Sequence, residues 1–314
     1  MANSPAWRDA IVLTRDEVRG GARGVVSRAR HDRSLQRLCV GASIPTEIWE
    51  GLDADDRFRA RVYAEVLRIP TDAPLTHLSA AAMWGLPSIE AWPSRAETSV
   101  PVDSVLRSRT GMLRHRVGRT EAVARLAGIP VSALPQALSQ VAATAPFDVA
   151  VAMLDAALAG RGRAIDGRPT RVARRELNDA IAGLSHSRAR RRAQAAADFA
   201  DSRSGSPGES LSRCRIRQLG LTPPELQHPF ADDRGPIGVV DFWWPERGIV
   251  GEFDGVAKYV RAEYTGGRPV HEVVLAEKRR ESRLRDRCDR VIRWGWAEAT
   301  NIRAMERLLA TALR

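Results

Sequence analysis

The sequence predicts an α/β protein of several domains: a helical, arginine-rich N-terminal module, a mixed α/β middle and a C-terminal α/β domain built on a hairpin. Three observations predict it. The chain has 314 residues, whereas a single core usually takes roughly 100 to 200. Segments with helical apolar periodicity are interspersed with short runs of β-branched and aromatic residues. Asp201-Ser202-Arg203-Ser204-Gly205-Ser206-Pro207-Gly208 has the composition of a linker. These features place domains at 1–70, 71–200 and 205–314.

The first element begins after an apolar run at Ile11, where Thr14-Arg15-Asp16-Glu17 fits a capping box and starts a helix. Gly20-Gly21 ends it, and 22–29 forms a second helix. Leu35–Leu38 and Ala42–Ile44 flank Gly41 as a small hairpin. The order helix, turn, helix, wing describes a winged helix-turn-helix. Arg15, Arg19, Arg23, Arg28, Arg30, Arg33 and Arg37 stand against only Asp16, Glu17 and Asp32, so this module presents a one-sided basic surface suited to backbone phosphates.

The middle region reads as helices at 57–68 and 75–86, strands at Val100–Val105 and Met112–Val117, and helices at 134–143, 146–159 and 171–184. Small residues at Leu78–Met83 predict close packing, and Gly85-Leu86-Pro87 a stop. Arg188, Arg190, Arg191 and Arg192 open an alanine-rich helix to Phe199.

The whole-chain balance narrows the function. Net charge is +11 and the sequence pI about 10.8, mostly from arginine, which matches phosphate oxygens with its planar fork. Phosphate-rich polymers are therefore the expected partners. No apolar run reaches the ~18 residues that span a bilayer, and the first residues lack a signal-peptide core, so a cytoplasmic protein without membrane association is expected. Cys39, Cys214 and Cys288 form no close pair and the six histidines show no zinc-ligand spacing. Neither disulfides, structural zinc nor an organic cofactor is expected.

The C-terminal region carries the chemistry. Val239–Trp244 and Ile249–Asp254, joined by Pro245-Glu246-Arg247-Gly248, predict a hairpin with Trp244 opposite Ile249, Phe242 opposite Gly251 and Asp241 opposite Glu252. Alternation puts Val240, Phe242, Trp244, Ile249, Gly251 and Phe253 on an apolar face and Asp241, Glu252 and Asp254 on the other. Opposed carboxylates with Cβ atoms about 4.5 to 5.5 Å apart repel unless a positive charge lies between them. Mg²⁺ or Mn²⁺ is the expected cation, able to polarise a phosphodiester and activate water. Salt bridges to the many arginines are the other way to neutralise these acids.

The stretch from Pro207 onward, with Glu209, Asp241, Glu252-Phe253-Asp254-Gly255, Lys258-Tyr259 and Glu277-Lys278-Arg279-Arg280-Glu281, resembles the very-short-patch-repair-like nuclease family of the PD-(D/E)XK superfamily. The resemblance implies a restriction-endonuclease-like α/β domain in which Glu209, Asp241 and Glu252 bind the metal. Asp254 stands where that family places a lysine, which leaves Lys258 and Lys278 to supply the positive charge. On a helix from about 273 to 287, Glu277, Lys278 and Glu281 interrupt the stripe of Val274, Leu284 and Cys288. The N-terminal half, with Leu78-Ser79-Ala80-Ala81 and Gly85-Leu86-Pro87, is similar to AbiEi-type antitoxins and regulators, which implies operator binding and a cognate toxin as partner.

Two functions follow as expectations. One is a divalent-metal-dependent endonuclease acting on double-stranded DNA. The other is a non-catalytic DNA-binding regulator or antitoxin of a toxin-antitoxin, phage-defence system, with a degenerate nuclease-like platform. Metal-carboxylate chemistry alone does not separate DNA from RNA, and the winged helix points to duplex DNA.

Overall fold

The computed structural model describes residues 5–15, 32–68, 72–118, 122–255 and 270–313. It divides the chain into two units, Met1–Ala200 and Asp201–Arg314. The expected segments 1–70 and 71–200 both fall within the first unit, and the linker composition marks the start of the second.

In the first unit, α1 (Ala6–Asp9) and β1 (Val12–Leu13) precede β2 (Leu35–Cys39) and β3 (Ala42–Pro45), and the strands form an antiparallel sheet in the order β1-β3-β2. Gly41, at φ +81°, makes the tight β2–β3 turn possible. Residues 16–31, where two helices were expected, lie outside the described residues. α2 (Thr46–Gly51) and α3 (Ala54–Arg68) follow, and α3 buries Phe58, Val62, Tyr63 and Val66 at helical spacing.

The middle of this unit departs from the sequence expectation in its strands. The strand expected at Val100–Val105 is β4 (Ala96–Pro101), paired in parallel with β5 (Met112–Val117). Val102 and Val105 are exposed, so their β-branched shape meets no packed surface that could hold a strand there. A hairpin of β6 (Val123–Leu126) and β7 (Ile129–Ser132) was not anticipated; Ala127 and Gly128, both at positive φ, turn it. Leu75 bridges Thr98 on β4 and Val131 on β7, tying the two strand pairs together. Helices α4 (His77–Met83), α5 (Leu134–Thr144), α6 (Phe147–Ala159), α7 (Arg174–Ala182) and α8 (Ser187–Phe199) and a short β8–β9 pair (Gly162–Arg163, Pro169–Thr170) complete it. Every residue of α6 from Val149 to Ala157 is buried, which marks it as the central helix.

The second unit runs α9 (Pro207–Gln218), β10 (Glu225–Asp232), β11 (Gly235–Trp244), β12 (Ile249–Phe253), α10 (Val270–Arg285), β13 (Arg290–Trp294), α11 (Trp296–Thr300) and α12 (Ile302–Leu313). Its sheet has the order β10-β11-β12-β13, with the first two pairings antiparallel and the last parallel. β10 was read only as a lead into the hairpin; it is an edge strand, where Pro229 is tolerated. The hairpin register is the expected one: Phe242 pairs with Gly251, Trp243 with Val250 and Trp244 with Ile249.

One face holds Phe242, Trp244, Gly251, Phe253 and Trp294, with Phe242 stacked on Trp294 at 5.2 Å between ring centroids. Trp294 donates its Nε1–H to Ser212 Oγ of α9 at 2.8 Å, fixing that helix against this face. Val240 was expected here and belongs elsewhere, in a cluster with Ile237, Val250 and Leu284 beneath α10. Its neighbour Asp241 stands opposite Gln227, whose φ of +52° interrupts the β10–β11 ladder between Leu226↔Phe242 and His228↔Val240, so simple alternation fails at that point.

Two outcomes test this packing. A Cβ on Gly251 would lie 2.5 Å from Trp294 and 3.0 Å from Trp244, so Gly251→Ala is expected to lower unfolding stability by about 1–3 kcal/mol in urea titration. Arg283 Nε donates to Asp232 Oδ2 at 2.8 Å, and hydrogen bonding from Arg283 holds the Asp232 carboxyl down from 3.8 to about 2. Because the folded value is depressed, this stabilisation is complete above pH 3.8 and disappears as pH falls through about 2. Asp232→Asn is expected to flatten the acid limb of the stability curve in that window, as followed by circular dichroism.

Candidate functional site

The carboxylates read from the sequence separate into two environments. Ser206 caps α9: its Oγ accepts from Glu209 N at 3.2 Å and donates to Glu209 Oε1 at 2.9 Å, while Gly205 N donates to Glu209 Oε2 at 2.6 Å. Glu209 is thereby pinned in a buried position at the start of the helix. Gln227 Nε2 donates to Glu209 Oε2 at 2.9 Å and to Asp241 Oδ1 at 3.2 Å, joining the helix carboxylate to the strand carboxylate. Asp241 Oδ2 accepts the Phe253 N–H at 2.8 Å, just past the point where the β11–β12 ladder ends.

Glu252 is also buried, and two arginines hold it. Its Oε1 accepts from Arg280 Nη2, and its Oε2 from Arg293 Nε at 2.9 Å. Arg293 is its directly paired residue on parallel β13. Arg293 reaches on to Glu281 at 2.9 Å and Glu277 at 3.2 Å, and Arg280 to Glu277 at 3.0 Å, so three carboxylates and two guanidiniums interlock. Burial opposes the charge on Arg293, and its hydrogen bonds to Glu281 and Glu252 outweigh that, raising its pKa. The positive charge beside Glu252 therefore comes from Arg280 and Arg293, which the sequence reading did not single out.

The remaining expected residues are spread more widely. Asp254 is half-buried and gives its backbone N–H to Trp294 O at 2.7 Å. Lys278 is exposed, while Glu277, Arg280, Glu281 and Leu284 of α10, and Cys288 beyond its end, are turned inward. Lys258 lies outside the described residues, as do Arg19, Arg23, Arg28 and Arg30. Arg15 donates to the Arg68 carbonyl at 3.2 Å, and Arg33 and Arg37 are exposed around the β2–β3 hairpin. In the second arginine cluster, Arg190 and Arg192 donate to the carbonyls of Leu184 and Ala145, while Arg188 and Arg191 face solvent.

The donor chemistry of Glu209 and Asp241 suits a hard divalent cation, with the Gln227 amide donating to both carboxylates. Among the described residues, however, the group of three whose ligand atoms all lie within 4.8 Å of one another is His77, Glu97 and His115 in the first unit. The search for zinc-ligand spacing missed it because the three residues sit on different elements. Burial and the neighbouring His115 lower the pKa of His77 to about 4, so its imidazole is neutral at physiological pH.

No family model matches the chain. Its sequence is 34% identical over 152 residues to two uncharacterized proteins of Mycobacterium tuberculosis, MT2308 of strain CDC 1551 / Oshkosh and Rv2248 of strain ATCC 25618 / H37Rv, and each match takes in 48% of this chain and 52% of the relative. The chain thus spans about half the length of the curated relatives it matches. A crystal structure of the RV2827C protein from Mycobacterium tuberculosis is similar at a TM-score of 0.37 and 15% identity, covering 74% of this chain and 91% of that one. Among the described residues, no helix is long and apolar enough to cross a membrane.

The interlocked charges set a stability expectation. Glu252→Gln leaves Arg280 and Arg293 with Glu277 and Glu281 as partners, so the loss should be about 1–3 kcal/mol rather than the larger cost of stranding a buried charge. Urea midpoints of the two proteins measure it, and an unchanged midpoint would show that the network contributes nothing to folding.

Proposed function

We propose that this chain is a DNA-binding protein whose second unit is a divalent-metal-dependent endonuclease domain of the PD-(D/E)XK kind, hydrolysing phosphodiester bonds. The observation that carries the reading is the convergence of Glu209 and Asp241 on one amide, Gln227 Nε2, at 2.9 and 3.2 Å. The sequence order helix, three antiparallel strands, crossover helix and parallel strand supports it. Glu209 and Asp241 would hold Mg²⁺ or Mn²⁺, which when bound supplies Lewis-acid polarisation of the phosphodiester and a more acidic water. Gln227 orients the two carboxylates, and the Phe253 N–H fixes the rotation of Asp241. Glu252 stays charge-neutralised by Arg280 and Arg293.

Duplex binding in this reading belongs to the N-terminal region. The β1-β3-β2 sheet, with exposed Arg33 and Arg37 on its hairpin, supports a winged helix whose basic side meets phosphate.

A second reading has an observation of its own. Both Glu252 oxygens are engaged by arginines, and Asp254 replaces the family lysine, which favours a non-catalytic regulator or antitoxin that binds DNA and a cognate toxin.

A cleavage panel of supercoiled, nicked, mismatched and single-stranded DNA with Mg²⁺ or Mn²⁺ separates the two. The nuclease reading expects metal-dependent cutting that Asp241→Ala lowers at least roughly 100-fold, the upper end of the cost of losing even an outer partner of a metal ligand. No cutting by the wild type, with DNA binding intact in both proteins, would leave the regulator. In either case, replacing Arg23 and Arg28 by Ala should weaken duplex binding and reduce its salt slope by about 2.

A further inference from the structure

The first unit gathers a second set of ligating side chains that the proposed nuclease chemistry does not use. Leu75 bridges β4 at Thr98, so the chain entering α4 runs beside β4, and Thr76 N donates to Glu97 O at 3.0 Å. Glu97 Oε2 accepts the Leu78 N–H at 3.0 Å, and Glu97 Oε1 lies 3.1 Å from His115 Nε2 on β5. The His115 and His77 rings stack with centroids 3.9 Å apart and planes 21° from parallel.

The hydrogen bonds around His77 determine its tautomer. Gln140 Oε1 accepts the His77 backbone N–H at 3.3 Å, which fixes the amide with its oxygen towards this side. Thr76 Oγ1 lies 2.6 Å from that same oxygen and so spends its one proton on it. The 3.2 Å contact between Thr76 Oγ1 and His77 Nδ1 then requires the imidazole to be the donor. His77 is therefore protonated on Nδ1 and carries its lone pair on Nε2. With Nδ1 donating to the threonine hydroxyl, Nε2 is the nitrogen left to His77 for ligation, the kind of support that fixes a ligating histidine.

We propose that His77, Glu97 and His115 form a binding site for a divalent transition metal of the zinc class. Two imidazoles and one carboxylate are the donor set of a three-ligand zinc site, and nitrogen donors select against Mg²⁺, which favours oxygen. Zinc–nitrogen bonds of about 2.0–2.1 Å at a tetrahedral angle put two ligand nitrogens about 3.3 Å apart, and the ligand atoms of the three residues here lie within 4.8 Å of one another; because lone pairs lie in the ring planes, one imidazole turns out of the stack to share the ion. The ion takes the place of the proton between His115 Nε2 and Glu97 Oε1, so uptake releases a proton or moves it to Nδ1. Both histidines line a cavity of about 460 Å³, along with Gln136, Gln140, Thr144 and His186. That cavity leaves room beside the two histidines for water or a small polar molecule as a fourth ligand.

Calorimetric titration of the chelator-stripped full chain with Zn²⁺, and absorption spectroscopy with Co²⁺, test the site. With excess Mg²⁺ present to occupy the carboxylates of the second unit, one Zn²⁺ or Co²⁺ per chain is expected, with a Co²⁺ spectrum of four-coordinate nitrogen and oxygen ligation free of thiolate charge transfer. His115→Gln and Glu97→Gln should each weaken binding at least roughly 100-fold and cancel the rise in Tm that Zn²⁺ gives the wild type. Asp241→Ala should bind Zn²⁺ as the wild type does, which separates this site from the carboxylates of the second unit. Failure of the wild type to bind Zn²⁺ or Co²⁺, a thiolate band, or His115→Gln and Glu97→Gln variants with wild-type affinity would each overturn the proposal and leave the three side chains as a hydrogen-bond network.

Discussion

The second unit depends on the absence of a side chain at Gly251. β12 is buried along its whole length between β11 and β13, and Trp244 and Trp294 close over the space that a Cβ at this position would fill. That contact holds the antiparallel and parallel neighbours of β12 in one register. Once Gly251 is opposite Phe242 and Ile292, Glu252 must stand opposite Arg293, and the crossover helix α10 delivers Arg280 to the same carboxylate. The charge network is thus a consequence of aromatic packing one residue away.

The parts of this arrangement that were legible in the sequence are the local ones. The hairpin register followed from a short turn and a clean alternation of side chains, both contained within about fifteen residues. The β2–β3 hairpin was legible for the same reason, with Gly41 marking its turn. The partner of Glu252 was not, because parallel β13 joins the sheet only after a long crossover and no local pattern reports its register. Gln227 was hidden by a backbone twist at positive φ that removes its pair from the ladder, which also moved Val240 off the face that strict alternation assigns it. On α10, the expected stripe holds at Glu277, Glu281 and Leu284, but Lys278 at its edge is exposed and Arg280 turns inward instead. His77, Glu97 and His115 carried no spacing signal, since Leu75, bridged to β4, brings the first of them to the other two.

The two carboxylate environments of the second unit differ in what a cation would meet. Glu252 has full positive charges on both oxygens, and displacing either guanidinium would also disturb its bonds to Glu277 or Glu281. Glu209 and Asp241 share the Gln227 amide and each accepts a backbone N–H, contacts that orient the two carboxylates.

Donor softness divides the molecule in the same way at larger scale. Oxygen donors in the second unit favour a hard, hydrated ion that keeps several waters, whereas the imidazoles of the first unit favour a borderline ion in a small, fixed coordination number. A site of the first kind can exchange its ion readily and leaves room for a phosphate oxygen. A site of the second kind holds its ion through its histidine nitrogens, and here the tautomer of His77 is set by Thr76 and Gln140 before any ion arrives. On the two proposals, metal content and metal-dependent cleavage are separable, each governed by its own unit's hydrogen bonds.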